Sequence, residues 1–347
     1  MRQIKMIICH FPISLKKIPL LFVYIILAIL SLPFQLIEQL VFAGKIRKQE
    51  IDPSPVFILG HWRSGTTFLH QLLSNDKQFG YVNFYSAMFP NSFLWTERKM
   101  KPLLNKIAGV FKWKIPFFNK IEYNFDFPCE EDTALINMGS PHSAYWAYAF
   151  PQKAMNVFDH TMYFDSLNSK ATKEFIRDYL YLLKKISFRH KNKRLLLKSP
   201  PNTARIKLLL QIFPDAKFIY INRSPVEIYY SHHKLWEQCL KNYALQEISQ
   251  SELDNIITQT MGNVFRQYKE DKDLLSETNL CEVDYETLLK NPLFVINEIY
   301  ECLGINKSTT TEMDILVQIA KARKYTPFAY DYDQEKIKWI EKNLIPH

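Results

Sequence analysis

The stretch Pro55-Val56-Phe57-Ile58-Leu59-Gly60-His61-Trp62-Arg63-Ser64-Gly65-Thr66-Thr67 constrains this chain more than any other. Val56 to Leu59 is a short apolar run suited to a strand covered on both faces. Gly60 and Gly65 permit a tight bend of the backbone. Phe68, Leu69, Leu72 and Leu73 then recur at helical spacing. A turn of this kind presents the unpaired N–H groups of a helix start, whose partial positive charge attracts anions.

The spacing Gly60-x4-Gly65 resembles the Walker A loop, G-x4-G-K-[ST], with one departure. Thr66 stands where the lysine belongs, and the cation is Arg63, on the other side of the turn. The pattern predicts a site for a phosphate-like group, but not a standard triphosphate and magnesium site. A strand-to-helix turn with no ligand is the alternative left open by this stretch alone.

Two further strand ends carry cations. Arg194 to Lys198 reads as a strand followed by Ser199-Pro200-Pro201-Asn202, with Asn202 placed to cap a helix from Thr203 to Phe213. Lys198 then sits at the carboxyl edge, where open α/β sheets bind ligands. Lys217 to Asn222 reads as the next strand and ends in Arg223-Ser224-Pro225-Val226-Glu227. Ser224 as N-cap, Pro225 in the first turn and Glu227 as capping-box partner start a helix there. Ser231 lies two turns along the face of Ser224, so Arg223 and Ser231 could grip one phosphate. A capped helix with exposed Arg and Ser is the alternative. Together these elements predict an α/β, P-loop-like, three-layer fold with a central, mainly parallel sheet flanked by helices.

The chain divides in prospect into an N-terminal hydrophobic segment, 1–50, and a domain, 51–347, with an aromatic-rich helical insertion at 76–150. Ile18 to Phe34 carries no charge and is flanked by Lys16-Lys17 and by Lys45, Arg47 and Lys48. The segment 18–42 is expected to associate with a membrane, by spanning it or lying in its interface, or else to pack on the domain. No small-residue cleavage site follows it. The net charge of +9 suits anionic ligands or an anionic membrane surface. The basic residues are scattered and no nucleic-acid motif is present, so no nucleic-acid partner is expected. Five well-separated cysteines without a C-x-x-C pair predict neither a metal site nor a disulfide framework, and a reducing compartment: the cytoplasm or the cytoplasmic face of a membrane.

Inside the insertion lies Pro128-Cys129-Glu130-Glu131-Asp132. Three acids at a helix start are favoured by the macrodipole alone. A general base set among aromatics is the functional alternative.

Taken jointly, Gly60 to Thr67, Lys198-Ser199-Pro200, and Arg223 with Ser231 resemble the three nucleotide-binding elements of the sulfotransferases. These enzymes use 3′-phosphoadenosine 5′-phosphosulfate (PAPS). The loop Arg63-Ser64-Gly65-Thr66-Thr67 is similar to the R-S-G-T-T form of the bacterial and tyrosylprotein branches. Pro128 to Asp132 resembles the P-Q-E-D-E segment of a bacterial group, and Val283-Asp284-Tyr285-Glu286-Thr287-Leu288 the "R-Y-E-D-L" strand end. The resemblance runs from about Pro55 to Ile305. It implies that Arg63, Ser64, Gly65, Thr66 and Thr67 hold the 5′-phosphosulfate, that Arg223 and Ser231 hold the 3′-phosphate, and that Lys198 faces the sulfuryl group or bridging oxygen. It implies no metal. The acceptor would be a small molecule, carbohydrate or lipid bearing a hydroxyl or amine.

Three departures from the family matter. Pro200 occupies the position of the catalytic His in the cytosolic K-T-H motif. The late R-K-G-x-x-G motif is missing, and Arg323, Lys324 and Tyr325 are proposed in its place. Asn83 stands at the offset of the tyrosylprotein-branch Glu. The base must then come from elsewhere; the resemblance to the bacterial P-Q-E-D-E segment implies Glu130, with Glu131, Asp132 and His61 as further candidates. A P-loop kinase and a catalytically inactive membrane scaffold are the rival functions.

Overall fold

A computed structural model describes residues 6–7, 12–111, 124–164, 169–308, 315–317, 319 and 332–344. They divide into two compact units, one of residues 52–81, 193–234 and from 250 onward, the other of residues up to 51, 82–192 and 235–249.

The first unit is built on five parallel strands, β1 (Val56–Leu59), β2 (Phe79–Gly80), β3 (Arg194–Lys198), β4 (Lys217–Asn222) and β5 (Leu280–Asp284), in the order β2-β3-β1-β4-β5. β1 pairs with β3 on one side and β4 on the other. All four of its residues are buried, which explains an apolar run without alternation. β5 alternates buried and more open residues instead.

Side chains divide between the two sheet faces by the strand period of two. Val56, Ile58, Ile219 and Ile221 join Leu69, Leu72, Val295 and Ile299 in one core layer. On the opposite face Phe57 stacks on Phe218, and Tyr220 stacks on Tyr268 of the helix Gln250–Asp271. Leu253, Ile257, Met261 and Val264, spaced at helical intervals, are buried in that helix. The layering is therefore helix, sheet, helix.

The chain leaves β1 towards β2 and β3 on one side and later reaches β4 on the other. The carboxyl ends of β1, β3 and β4 are thus neighbours at a topological switch point, where open parallel sheets bind ligands. Those ends carry Gly60, Lys198 and Arg223.

The second unit is mainly helical. The helix Lys170–Arg189, capped by Ser169, buries Phe175, Tyr179, Leu182, Leu183 and Ile186. It and the helix Phe93–Val110 pack against the N-terminal helix Ile18–Lys48, which runs unbroken through Pro33. Lys185 donates to Glu38 and to the Pro90 carbonyl. Glu38 also accepts the Leu94 N–H at 2.6 Å, in the first turn of Phe93–Val110. A carboxylate there satisfies orphan helix donors.

Candidate active site

Three residues of the loop after β1 have positive φ: Gly60 (146°), Arg63 (72°) and Gly65 (99°). Turns of this kind can form an anion-binding nest. The Gly60 N–H is bonded to Thr203 Oγ1 and the Ser64 N–H to the His61 carbonyl, which leaves the N–H groups at the start of the following helix as the candidate donors. Both glycines are required by space as well as by φ. A Cβ on Gly60 would lie 2.5 Å from Ser64 Oγ, and one on Gly65 2.4 Å from the Tyr285 ring. The helix Thr66–Leu73 begins directly after Gly65, so its first N–H groups face the same turn. Ser64 is fully buried, and its Oγ has no hydrogen-bond partner among the described residues.

The cations of the three strand ends meet at this loop. Lys198 Nζ donates to Thr67 Oγ1 at 3.1 Å. Arg63 Nε donates to Ser231 Oγ at 2.8 Å. Arg223 Nη1 donates to the Arg63 carbonyl at 2.6 Å, and its Nε pairs with Glu227 at 2.8 Å. Its guanidinium lies 4.2 Å over the Tyr285 ring. Arg63, Ser64, Gly65, Thr66, Thr67, Lys198, Arg223 and Ser231 therefore form one constellation within the sheet unit.

Local rules explain part of this placement. Ile228 N–H bonds the Ser224 carbonyl at 3.0 Å, as an N-cap residue requires, while the Glu227 carboxylate accepts from Arg223. After β3 the structure differs from the expected helix from Thr203. Pro200–Ala204 forms a 3₁₀ turn, and the α-helix covers Ile206–Ile212. Thr203 Oγ1 accepts from Gly60 N–H at 2.9 Å and donates to Gly60 O at 3.1 Å, locking this turn to the loop. Asn202 Oδ1 accepts from Arg205 instead of capping a helix at Thr203.

Histidines lie under the loop. His61 is buried, and its Nδ1 hydrogen-bonds the Trp62 carbonyl at 2.9 Å. Burial, opposed by that hydrogen bond, lowers its pKa to about 4, so the ring is neutral at pH 7. His232 packs edge-on to His61 and stacked on Trp62. Burial, and then the neighbouring His61 and Arg63, hold its pKa well below the usual value. Sequence reasoning missed His232 and the role of Tyr285 as a floor for Arg223. A histidine inside a helix, even in the pair His232-His233, carries no local signal, and only the strand-end resemblance pointed to Tyr285.

The candidate acids stand in the helical unit. Glu130 occupies the N-cap position of the helix Glu131–Met138 without a side-chain cap bond and is half-buried; its carboxylate accepts from the Tyr145 hydroxyl. Burial, and then the Glu130 charge, raise the Tyr145 pKa well above the usual phenol value, so Tyr145 stays a donor. Asp132 Oδ1 accepts from the Ala144 N–H at 2.9 Å, which makes it a strut for the following turn. Glu131 is fully buried beside it. Asn83 caps the helix Phe84–Met88 and donates to Glu97 at 2.9 Å. The segment leading to Glu130 is pinned there: Phe84 N–H bonds Phe127 O, and Cys129 N–H bonds Val82 O, both at 2.7 Å. Arg323, Lys324 and Tyr325 lie outside the described residues.

A parallel sheet whose central strand runs into a glycine-hinged anion loop is the architecture of P-loop-like nucleotide-binding proteins. Within that class the chain belongs to the sulfotransferase family, whose model matches residues 55–309, and it is a sulfotransferase. Omega-hydroxy-beta-dihydromenaquinone-9 sulfotransferase Stf3 of Mycobacterium bovis is 27% identical over 309 residues, covering 89% of this chain and 76% of its own. The protein of the same name from Mycobacterium tuberculosis matches equally. The crystal structure of sulfotransferase STF1 from Mycobacterium tuberculosis has a TM-score of 0.71 at 15% identity, covering 99% of this chain and 90% of that one. Sulfotransferase STF9 from Mycobacterium avium has a TM-score of 0.67 at 18% identity, with 89% and 81% covered. At these identities the two structures support the fold.

Proposed function

We propose that the chain transfers a sulfuryl group from PAPS to a hydroxyl of an apolar small molecule or lipid. The observation that carries this reading is the chain of contacts from Ser231 through Arg63 to Arg223. It joins a loop suited to a phosphosulfate to an Arg/Ser pair suited to a second phosphate, and only a donor with both groups uses both. The buried Ser64 hydroxyl and the N–H groups at the start of the helix Thr66–Leu73 suit phosphosulfate oxygens.

In this scheme Arg63 and residues 64–67 hold the phosphosulfate, and Arg223 with Ser231 the 3′-phosphate. Glu130, whose carboxylate accepts from the Tyr145 phenol, takes the proton of the acceptor hydroxyl. The acceptor oxygen bonds to sulfur as the bond from sulfur to the bridging oxygen breaks. Lys198 and the loop N–H groups offset the charge growing on that oxygen, which leaves with 3′-phosphoadenosine 5′-phosphate (PAP). Removing one donor of this kind typically raises the barrier by about 2.7–4 kcal/mol.

The Stf3 relatives are named for a menaquinone derivative, an apolar acceptor with a hydroxyl. The aromatic-rich unit around Tyr145, Trp146 and Phe150 and the apolar N-terminal helix support a similar class here, met at the cytoplasmic face of a membrane.

Thermal stabilisation by PAP, compared with AMP and with ATP plus magnesium, tests the donor. Stabilisation by PAP alone, abolished in Arg223→Ala, is expected. Stabilisation by ATP plus magnesium alone would reject PAPS as donor.

A further inference from the structure

The N-terminal helix Ile18–Lys48 is apolar around its whole circumference, with no charge between Lys17 and Glu38. A helix of that composition is normally covered on every side. Here, among the described residues, one face alone is covered. Along it the less exposed positions recur at Leu21, Tyr24, Ala28, Ser31, Gln35, Glu38, Phe42 and Ile46, a helical period maintained from end to end. The opposite face is bare: Phe22, Leu30 and Leu40 are 59%, 63% and 86% exposed.

Both ends of the helix are fastened to the same helical unit. Before its start, Ser14 N–H bonds Leu245 O at 2.9 Å, and Gln246 Nε2 bonds Pro12 O at 2.8 Å. Past its middle, Glu38 is buried against Lys185 and the Leu94 N–H, and Phe42 packs edge-on to Phe188. At its end, Gln49 Nε2 bonds Ser187 Oγ at 3.2 Å. A spanning helix would place residues 12–14 and 38–49 on opposite sides of a hydrocarbon layer roughly 30 Å thick. One compact unit bonded to both forbids that.

The adjoining helix Phe93–Val110 extends the same chemistry. Trp95, Leu103 and Val110 are exposed beside the exposed bases Arg98, Lys99 and Lys106. The two helices contain only two acids, Glu38 and Glu97. Both turn inward, to Lys185 and Arg189. Outward charge is thus positive, including Lys45, Arg47 and Lys48. Apolar residues with an aromatic and a rim of Lys and Arg fit the headgroup zone of an anionic leaflet. A second copy of the chain would bring this positive rim against itself.

We infer that the chain is monotopic: the helix Ile18–Lys48 lies in the plane of one anionic leaflet and does not cross it. This topology rests on the membrane association proposed above and is independent of the donor assignment. It is tested with the full-length protein in two arms. In flotation, binding to phosphatidylglycerol-containing vesicles is expected, with at least a tenfold loss for Leu27→Glu/Leu30→Glu. Arg98→Glu/Lys99→Glu/Lys106→Glu should cost several-fold on anionic vesicles and nothing on neutral ones. Failure of the unsubstituted protein to float, with a dimer in ultracentrifugation that Leu27→Glu/Leu30→Glu dissociates, would overturn the association. In the second arm, Leu15→Cys and Lys48→Cys are labelled with a membrane-impermeant maleimide in sealed vesicles, against the unsubstituted chain. Labelling of both from one side is expected. Labelling from opposite sides, with vesicle binding intact, would overturn the topology alone.

Discussion

The guanidinium of Arg223 lies 4.2 Å over the ring of Tyr285, and the same ring closes the space beside Gly65. One aromatic side chain thus fixes both a cation and the loop that the cation serves. Stacking on a ring requires the planar guanidinium, which an ammonium does not replace. Arg223→Lys should weaken PAP binding about tenfold, and Tyr285→Ala by a similar factor, as expected for losing about 1–2 kcal/mol of a partly desolvated cation–π contact. Arg223→Ala should weaken it further, towards about a hundredfold, since a charge-assisted phosphate contact is lost as well. Titration calorimetry with PAP measures all three; equal affinity for Arg223→Lys and the parent would remove the stacking argument.

Gly65→Ala meets two obstacles, a Cβ within 2.4 Å of the Tyr285 ring and a φ of 99°. The sheet core does not depend on this residue, so the loop should deform while the fold persists. We expect kcat/KM to fall at least a hundredfold, with a retained far-UV circular dichroism spectrum. Adding Tyr285→Ala removes the clash but not the backbone strain, so it should not restore activity.

Glu130→Gln keeps the shape of the side chain and the contact with Tyr145 but cannot accept the acceptor proton. Its kcat should fall by about 10²–10⁴, the range for a lost general base. Affinity for PAP should change less than twofold. Tyr145→Phe should cost about tenfold in kcat by releasing the carboxylate from its donor. A Glu130→Gln enzyme with parental kcat would transfer the role to another residue.

Burial alone would raise the pKa of Glu97, but Arg189, with help from Asn83 and Lys101, lowers it from 4.5 to about 2. The folded value lies below the unfolded one. The stabilisation is therefore complete above about pH 4.5 and is lost as the pH falls towards 2. It amounts to at most about 3 kcal/mol. In urea titrations, Glu97→Gln should flatten the fall of stability across that window. An unchanged acid dependence would show that other carboxylates dominate.

Lys185 and Glu38 are paired with their side chains 1% and 4% exposed. Removing one partner leaves a buried charge, which typically costs about 3–5 kcal/mol. Glu38→Ala should therefore destabilise by that amount, while Glu38→Gln/Lys185→Met should recover most of it. Denaturant midpoints for the set give the coupling directly.

Much of the donor half of the site was legible in the residues because it rests on local backbone requirements. The positive φ at Gly60 and Gly65, the Ser224 carbonyl at the start of a helix, and Lys198 and Arg223 at strand ends all follow from neighbours within a few positions. The buried faces of Lys170–Arg189 and Gln250–Asp271 follow from periodicity in the same way. The Thr203 hydroxyl, drawn to Gly60, holds that residue in a 3₁₀ turn, and the helix expected from Thr203 begins at Ile206 instead.

What the sequence determined by itself was therefore the strand–loop–helix core and the cations at its edge, since short-range sterics and hydrophobic period decide those. Only the tertiary structure decided which distant groups meet. Glu38 finds Lys185 across 147 positions, Arg63 finds Ser231 across 168, and Tyr285 slides beneath Arg223. Such contacts depend on how whole elements pack, and no local preference encodes a partner that far along the chain. The same holds for the N-terminal helix. Its composition suits spanning and lying flat alike, and the inference that it lies flat rests on the bonds at its two ends.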